Sequence, residues 1–383
     1  MKPKLAVSSL RIKNFKAIKD SGILKFSPLT FFIGNNGSGK SSIIEALETV
    51  QQYTLNGLDE TMHKWRGFEH VWYRGVDHKY VEGKGATMLQ ANPMEFAVLG
   101  HANEKKYIYA SQITVGENDS LLFKKEILRF RDGVNITRNE KGKYVNSSKD
   151  KYFTLELGES VLTRNLRSWV SSWQFIALNP EVMTEPIPQH RTGSVVKLRK
   201  DGSNLSEYLR FLKKKDLSAF ESLLGQIKKV ISYVDDLQPE ITPVIEKTVY
   251  LQLTENDYKV PSWMLSTGTL RLIALLAILN DPQPPPFIAI EEIENGLDPR
   301  SIQLLVSQLY AVAESGLTQV FVTTHSPFLL DSVKLEDVVL VERKEGVPIF
   351  YRPQSDKKLI EWNKDYNVGK LYTMGRLNRK WQE

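Results

Sequence analysis

The stretch FFIGNNGSGKSS, residues 31–42, constrains this chain more than any other. An apolar run stops at a glycine-rich loop and the chain resumes as Lys-Ser-Ser. Gly34, Gly39, Lys40 and Ser41 satisfy the spacing G-x-x-x-x-G-K-[ST]. Glycines let the backbone turn tightly and aim its N–H groups at an anion. Asn35, Asn36, Gly37, Ser38, Gly39, Lys40, Ser41 and Ser42 are therefore the candidate phosphate contacts. Lys40 is expected to reach β- and γ-phosphates, and the Ser41 hydroxyl to hold Mg²⁺. The context agrees. The apolar run Leu29–Ile33 precedes the loop, and a helix predicted to start near Ser41 carries Ile43, Ile44, Leu47 and Val50 on one face. Its N-terminus adds a dipole that favours phosphate.

The remaining composition bounds the class. With 383 residues there is room for two or three domains. Charged residues make up 25% and apolar ones 41%, the balance of a globular chain. The absence of cysteine excludes disulfides, thiolate zinc sites and a cysteine nucleophile, and suits the cytoplasm. The opening MKPKLAVSSLRIKNF lacks a long apolar core, so no signal peptide is expected. The longest apolar run, Leu272–Leu279, is too short for a bilayer, so no membrane partner is expected. Net charge is +6, which points to an anionic partner such as nucleic acid. The lysine-rich spots at 197–200, 213–215 and 228–229 equally describe solvated helix faces.

Along the chain, the segment before the phosphate loop reads as three short strands. Residues 57–92 are mixed, with Trp65, Phe68, Trp72 and Tyr73. From Met94 to Tyr152 partial alternation with turn signals at RDG and EKGK predicts an antiparallel β lobe. Glu159–Trp173 and Ser203–Leu237 read as helical. Ser203 or Asn204 would cap the second, with Leu205, Tyr208, Leu209 and Leu212 as its stripe. Residues 241–255 read as one long strand or a pair. Strands and helices then alternate: helix 264–280, strand 287–291, helix 300–315, strand 318–323, helix 326–332, strand 337–342. Such alternation argues for a parallel sheet with covered faces. There is no internal repeat.

Three further stretches carry chemistry. PPPFIAIEEIENGLDP is a buried strand, Phe287–Ile290, that ends in two carboxylates. A phosphate-loop enzyme needs an acid at such a strand end for its Mg²⁺ shell, and a water-positioning group beside it. Glu291 is assigned the first role and Glu292 the second. Neighbours on a strand point to opposite faces, so the two can divide the work only where the chain bends. In MLSTGTLRLIALLAIL, Ser266 and Gly268 open a nearly all-apolar helix, which is either an anion-facing N-terminus or a plain cap. In VFVTTHSP an apolar strand delivers His325 to the same end of a sheet, as a ligand contact or a structural histidine.

Taken in order, these four elements resemble the ABC-type ATPase heads, within them the RecF, Rad50, SMC and OLD-like branch, and most of all stand-alone bacterial ATPases of the AAA_21 type. LRIKNFKAIKD, RKDGSNLSEYL, IAIEEIENGLDP, VTTHSPFLLDSV and YNVGKLYTMGRL are similar to that group, over nearly the whole length. The resemblance implies an α/β P-loop NTPase of ABC-ATPase type with an inserted antiparallel β lobe and a helical lid subdomain. Expected boundaries are 1–55 and 239–383 for the ATPase core, 56–158 for the β lobe and 159–238 for the helical subdomain. It implies ATP and Mg²⁺ as cofactors. It implies that Ser266 and Gly268 meet the γ-phosphate held by a second subunit, that Asp298 lies in the D-loop at the dimer interface, and that His325 senses the γ-phosphate. Lys13 and Asn14 are expected near the nucleotide. Three departures stand out: Thr267 where glycine is common, Glu291 in place of aspartate, and no clear Q-loop glutamine. Asn179, or less well Gln174, would stand in for that glutamine.

The expected mechanism is an ATP sandwich. Each subunit binds Mg-ATP on Lys40 and Ser41, two heads close into a homodimer, open to higher oligomers, and Glu292 orients the attacking water. The expected work is DNA-related, in repair or anti-phage defence, beside a separate nuclease or effector. The alternatives are a slow regulatory ATPase that assembles a cytosolic partner without DNA, and a transporter's nucleotide-binding subunit. VVLVERKEG resembles the acidic strand of a TOPRIM nuclease, yet no D-x-D follows, and 58 residues after His325 are fewer than the roughly 100 of a typical domain. Glu342 is read as a structural strand residue, and no intrinsic nuclease is expected.

Overall fold

The computed structural model describes residues 5–75, 92–102, 105–116, 120–131, 135–138, 144–146, 161–189, 191, 195–242 and 247–377. The predicted turns at 132–133 and 140–143 and the predicted helix start at 159–160 lie outside them.

A six-stranded sheet forms the centre. Its order is β10 (Gln174–Ile176), β15 (Phe287–Ile290), β16 (Gln319–Thr324), β4 (Leu29–Ile33), β17 (Val338–Lys344) and β18 (Val347–Tyr351). The first five run parallel, and β18 returns antiparallel as a hairpin. All residues of β4, β15 and β16 are buried, as a sheet covered on both faces requires. Side chains alternate across a strand, so each strand feeds two different cores. Phe31, Ile33, Ile288, Ile290, Val320 and Val322 join one. Phe32, Phe287, Ala289, Phe321 and Val339 join the other.

The second core is roofed by α1 (Lys40–Asn56) and an antiparallel sheet. Ile43, Ile44, Leu47 and Val50 all face inward. The antiparallel sheet runs β2 (Ile18–Asp20), β1 (Leu5–Phe15), β5 (Met94–Ala102), β6 (Lys105–Val115), β7 (Leu121–Phe130), β8 (Asn135–Arg138) and β9 (Tyr144–Asn146), with β3 (Leu24–Lys25) also on β1. The chain before the phosphate loop thus holds four strands, not three short ones. β1 is long, and a bulge between Val7 and Ser9 breaks its alternation. A turn at Gly22, φ 63°, splits the expected second strand in two. α2 (Val161–Ser171) packs on α1 and contributes Leu166, Trp169 and Val170 to this core.

The first core carries the helical lobe. α3 (Leu205–Lys215) buries the predicted Leu205, Tyr208, Leu209 and Leu212. Asp216 ends it and starts α4 (Leu217–Val230), its carboxylate accepting the Ala219 N–H at 3.0 Å. The helix predicted to continue to 237 stops here. β12 (Val234–Ile241) pairs with β13 (Thr248–Glu255), which also carries β11 (Ile187–Pro188) and β14 (Tyr258–Pro261). A bulge between Val234 and Asp236 brings Val234 and Leu237 to one face although they stand three apart, a spacing that mimics a helix. α5 (Thr267–Leu279) buries every residue from Leu272 to Leu279, and this wholly apolar run suits a helix enclosed on all sides. α6 (Pro299–Glu314) packs beside it.

Candidate functional site

The phosphate loop leaves β4 at Gly34. A Cβ there would lie 2.1 Å from the Val341 carbonyl oxygen of β17, so only glycine fits the approach. Gly37 and Gly39 take φ 76° and 110°, and a Cβ on Gly39 would lie 2.9 Å from the Pro348 ring. Asn35, Asn36 and Gly37 are exposed, whereas Ser38, Lys40 and Ser42 are buried and Ser41 is half-buried. The Lys40 ammonium donates to the carbonyl oxygens of Gly34 at 2.7 Å and Asn35 at 3.0 Å. Burial pushes the Lys40 amine down, and the charges of Glu292 and Glu294 oppose that shift. The Ser38 hydroxyl is buried without a partner, a donor with unused capacity inside the loop. A cavity of about 460 Å³ borders Gly34–Ser38, Leu340–Arg343 and Tyr372, whose hydroxyl donates to Asn35 Oδ1 at 3.3 Å.

The two carboxylates after β15 part company by a bend. Glu291 continues the strand, its N–H donating to Ile176 of β10 at 2.8 Å. Glu292 takes φ 47°, a left-handed conformation uncommon outside glycine and asparagine. Its N–H is held by Thr323 Oγ1 of β16 at 3.0 Å, and its Oε2 accepts from Asn295 Nδ2 at 2.6 Å. The Ser41 side chain is near enough to act on the Glu291 carboxyl. Burial raises Glu291's affinity for a proton, and Ser41 and Lys200 work against it.

Lys200 was not singled out for the site by sequence reasoning. Its ammonium lies 2.7 Å from Glu48 Oε2 and 3.9 Å from Glu291 Oε1, while Lys64 holds the other Glu48 oxygen at 2.6 Å. Burial would raise Glu48, but the two lysines outweigh it and hold the carboxylate low. Lys200 lies on the loop between β11 and α3, which is tied to the segment after β10: Ala177 N–H donates to the Lys200 carbonyl at 2.8 Å and Asn179 N–H to the Asp201 carbonyl at 2.9 Å. Asn204, set at the helix start, uses its side chain to bind Arg199 N–H and the Lys197 carbonyl and so fixes this loop. Of the two Q-loop candidates, Asn179 caps a short helix through Glu181 N–H, and Gln174 sits at the far end of β10, beside Ile288 rather than Ile290.

His325 follows β16. Its N–H donates to Glu294 Oε1 at 2.7 Å. Ser266 caps α5, its Oγ accepting the Thr269 N–H at 3.1 Å. A Cβ on Gly268 would meet the Gly296 carbonyl at 2.3 Å, so the helix start and the loop before α6 touch. Ser266, Gly268, Gly296 and Asp298 line a cavity of about 570 Å³ to which the phosphate loop contributes nothing. Asp298 caps α6 through Arg300 N–H at 2.9 Å and Ser301 N–H at 3.2 Å, and also accepts from the Ser301 hydroxyl. Burial lifts that carboxyl, but the Ser301 and backbone bonds prevail and hold it below its ordinary value. Lys40, Ser41, Glu291, Glu292 and His325 thus gather at neighbouring strand ends, whereas Ser266, Gly268 and Asp298 form a second surface. Lys13 pairs with Glu95 at 3.4 Å, and Asn14, at φ 54°, donates to the Pro93 carbonyl at 3.0 Å, which ties both to the antiparallel sheet.

Among the described residues no helix is long and apolar enough to cross a membrane. Comparison with known proteins matches residues 29–331 to the AAA_21 family, described as "AAA domain, putative AbiEii toxin, Type IV TA system". A "Retron Vc95 probable ATPase" of Vibrio cholerae is 23% identical, covering 88% of this chain and 72% of that protein. An "ATP/GTP phosphatase" of Helicobacter pylori is 22% identical, covering 92% and 94%. The solved SMC head bound to the C-terminal winged-helix domain of ScpA shares the fold at TM-score 0.50 and 14% identity, over 90% of this chain and 96% of that one.

Proposed function

This chain belongs to the AAA_21 family of nucleotide-hydrolysing ATPases, and from that premise we propose that it is an ATP-driven head that closes on a second copy of itself. The observation that carries this reading is the parting of Glu291 and Glu292 at a left-handed bend, one held by β10 and the other by Thr323 of β16, at the strand ends beside the phosphate loop. Mg²⁺ would be held by the Ser41 hydroxyl and the Glu291 carboxylate, hard oxygen donors that suit it, and supplies neutralising charge to phosphate oxygens. Lys40 exchanges the Gly34 and Asn35 carbonyls for β- and γ-phosphate oxygens. Glu292, steadied by Asn295, orients the attacking water, and His325 meets the γ-phosphate. Ser266 is exposed at the start of α5 with Gly268 half-buried beside it, and the two serve a second copy's ATP across the D-loop of Asp298.

The wider role is ATP-controlled work on DNA in the cytoplasm, in repair or anti-phage defence, beside a separate nuclease or effector. The net charge of +6 and the names of the family and of the retron relative support it.

Glu292→Gln tests the mechanism. With Mg-ATP the variant is expected to keep nucleotide binding, lose at least about 100-fold in turnover and double its mass by light scattering. Wild-type turnover would remove Glu292 from the mechanism. An unchanged mass with ATP bound would remove the sandwich.

A further inference from the structure

Two neighbouring strand ends are laced in both directions. From β15's side the Glu292 N–H donates to Thr323 of β16 at 3.0 Å. From β16's side the His325 N–H donates to Glu294 Oε1 at 2.7 Å. Glu294 is buried, its second oxygen has no hydrogen-bond partner, and its charge acts on Lys40. A buried carboxylate is costly unless it serves a partner. The histidine ring lies against the oxygen that already holds the His325 N–H, and the second oxygen stays unpaired. The ring Nδ1 lies 3.1 Å from the same Oε1, in ion-pair range but outside hydrogen-bond alignment. Site hydrogen bonds of this kind are commonly misaligned without substrate and tighten when it binds.

We propose that Glu294 is the positioning residue for His325: it takes the Nδ1–H of the ring and leaves Nε2 as the nitrogen that meets the terminal phosphate. The inference rests on the proposed ATPase reading. A carboxylate on Nδ1–H fixes the ring orientation, so that Nε2 is the nitrogen presented to the phosphate. Glu294 itself stays with the histidine and touches no substrate. Its charge also acts on Lys40, so the ring tautomer and the coupling to His325, rather than turnover alone, report the pair.

The test uses the full chain with imidazole-¹⁵N histidine. Long-range ¹H–¹⁵N spectra assign His325 by its loss in His325→Ala and report which nitrogen holds the proton, with and without a non-hydrolysable ATP analogue. The expected result is protonated Nδ1 in the analogue complex of the wild type and a shift toward the Nε2–H tautomer in Glu294→Ala. Glu294→Gln, which keeps an oxygen for the His325 N–H, covers the case in which the alanine variant does not fold. In steady state Glu294→Ala should lower kcat by about 10- to 100-fold with KM for ATP changed less than about 3-fold, and should add no further loss to His325→Ala. Multiplying losses in the double variant, or an unchanged ring tautomer in both Glu294 variants, would overturn the assignment. If the wild type hydrolyses no ATP, the ATPase reading fails, and the ring spectra still decide the pair.

Discussion

The Lys200 ammonium stands 2.7 Å from Glu48 Oε2, so a loop outside α1 is anchored to a carboxylate buried inside it. Lys64 balances the other oxygen. Lys200→Ala is expected to destabilise the fold by about 1–2 kcal/mol in urea, less than for a fully buried pair because both lysines are more than a third exposed and screened. Glu48's folded-state affinity for a proton is lowered, so its contribution is present above the unfolded carboxylate range and is lost as pH falls through the folded value. The acid limb of the stability profile should therefore flatten in Lys200→Ala.

Glu291 has the opposite sign. Burial raises its folded proton affinity, so ionising it at neutral pH weakens the fold. Glu291→Gln should raise the melting temperature at pH 7, by an amount equivalent to about 0.5–2 kcal/mol, while ATP turnover collapses. At a pH below the unfolded carboxylate range the stability gain should vanish. A gain that persists there would assign the stabilisation to packing instead.

Two glycines separate contact from flexibility. Gly225 lies in α4 with open space around it, so Gly225→Ala should stabilise by about 0.5–1 kcal/mol. Gly268→Ala drives a methyl group into the Gly296 carbonyl, with a loss of about 1–3 kcal/mol. It should also abolish ATP-dependent dimerisation while each subunit still binds nucleotide. Melting curves and light scattering read the two effects.

Thr323 is fully buried and its hydroxyl holds the bent Glu292 backbone. Thr323→Val keeps the shape and removes that acceptor. Stability should fall by about 1–2 kcal/mol, and kcat by about 10-fold or more, with ATP affinity nearly unchanged. An equal loss in affinity would mean that Thr323 supports binding rather than the orientation of Glu292.

What the sequence made legible was local. The phosphate loop, the Phe287–Ile290 strand and the apolar α5 each carry their reason within about a dozen residues. Two of the misread segments share a physical cause. In β1 and β12 a bulge puts an extra residue into the ladder, so the apolar spacing no longer repeats every second residue. The overlooked site residues share another. Lys200 meets Glu48 across 152 positions, and Glu294 meets His325 across 31, so neither role is written in its neighbours. Glu294 follows the two acids of its own segment by two residues, yet its partner His325 stands beyond β16, so no spacing within that segment points to it.

The alternation of Phe31 and Phe32 has a bearing on how this chain can evolve. Each faces a different oily chamber, and the loop that follows inherits its heading from both. Removing or adding one residue in that strand would swap the chambers and turn Lys40 away from Glu292. The spacing between Leu29 and Gly34 is thus protected by two unrelated packing problems, neither of which involves a nucleotide.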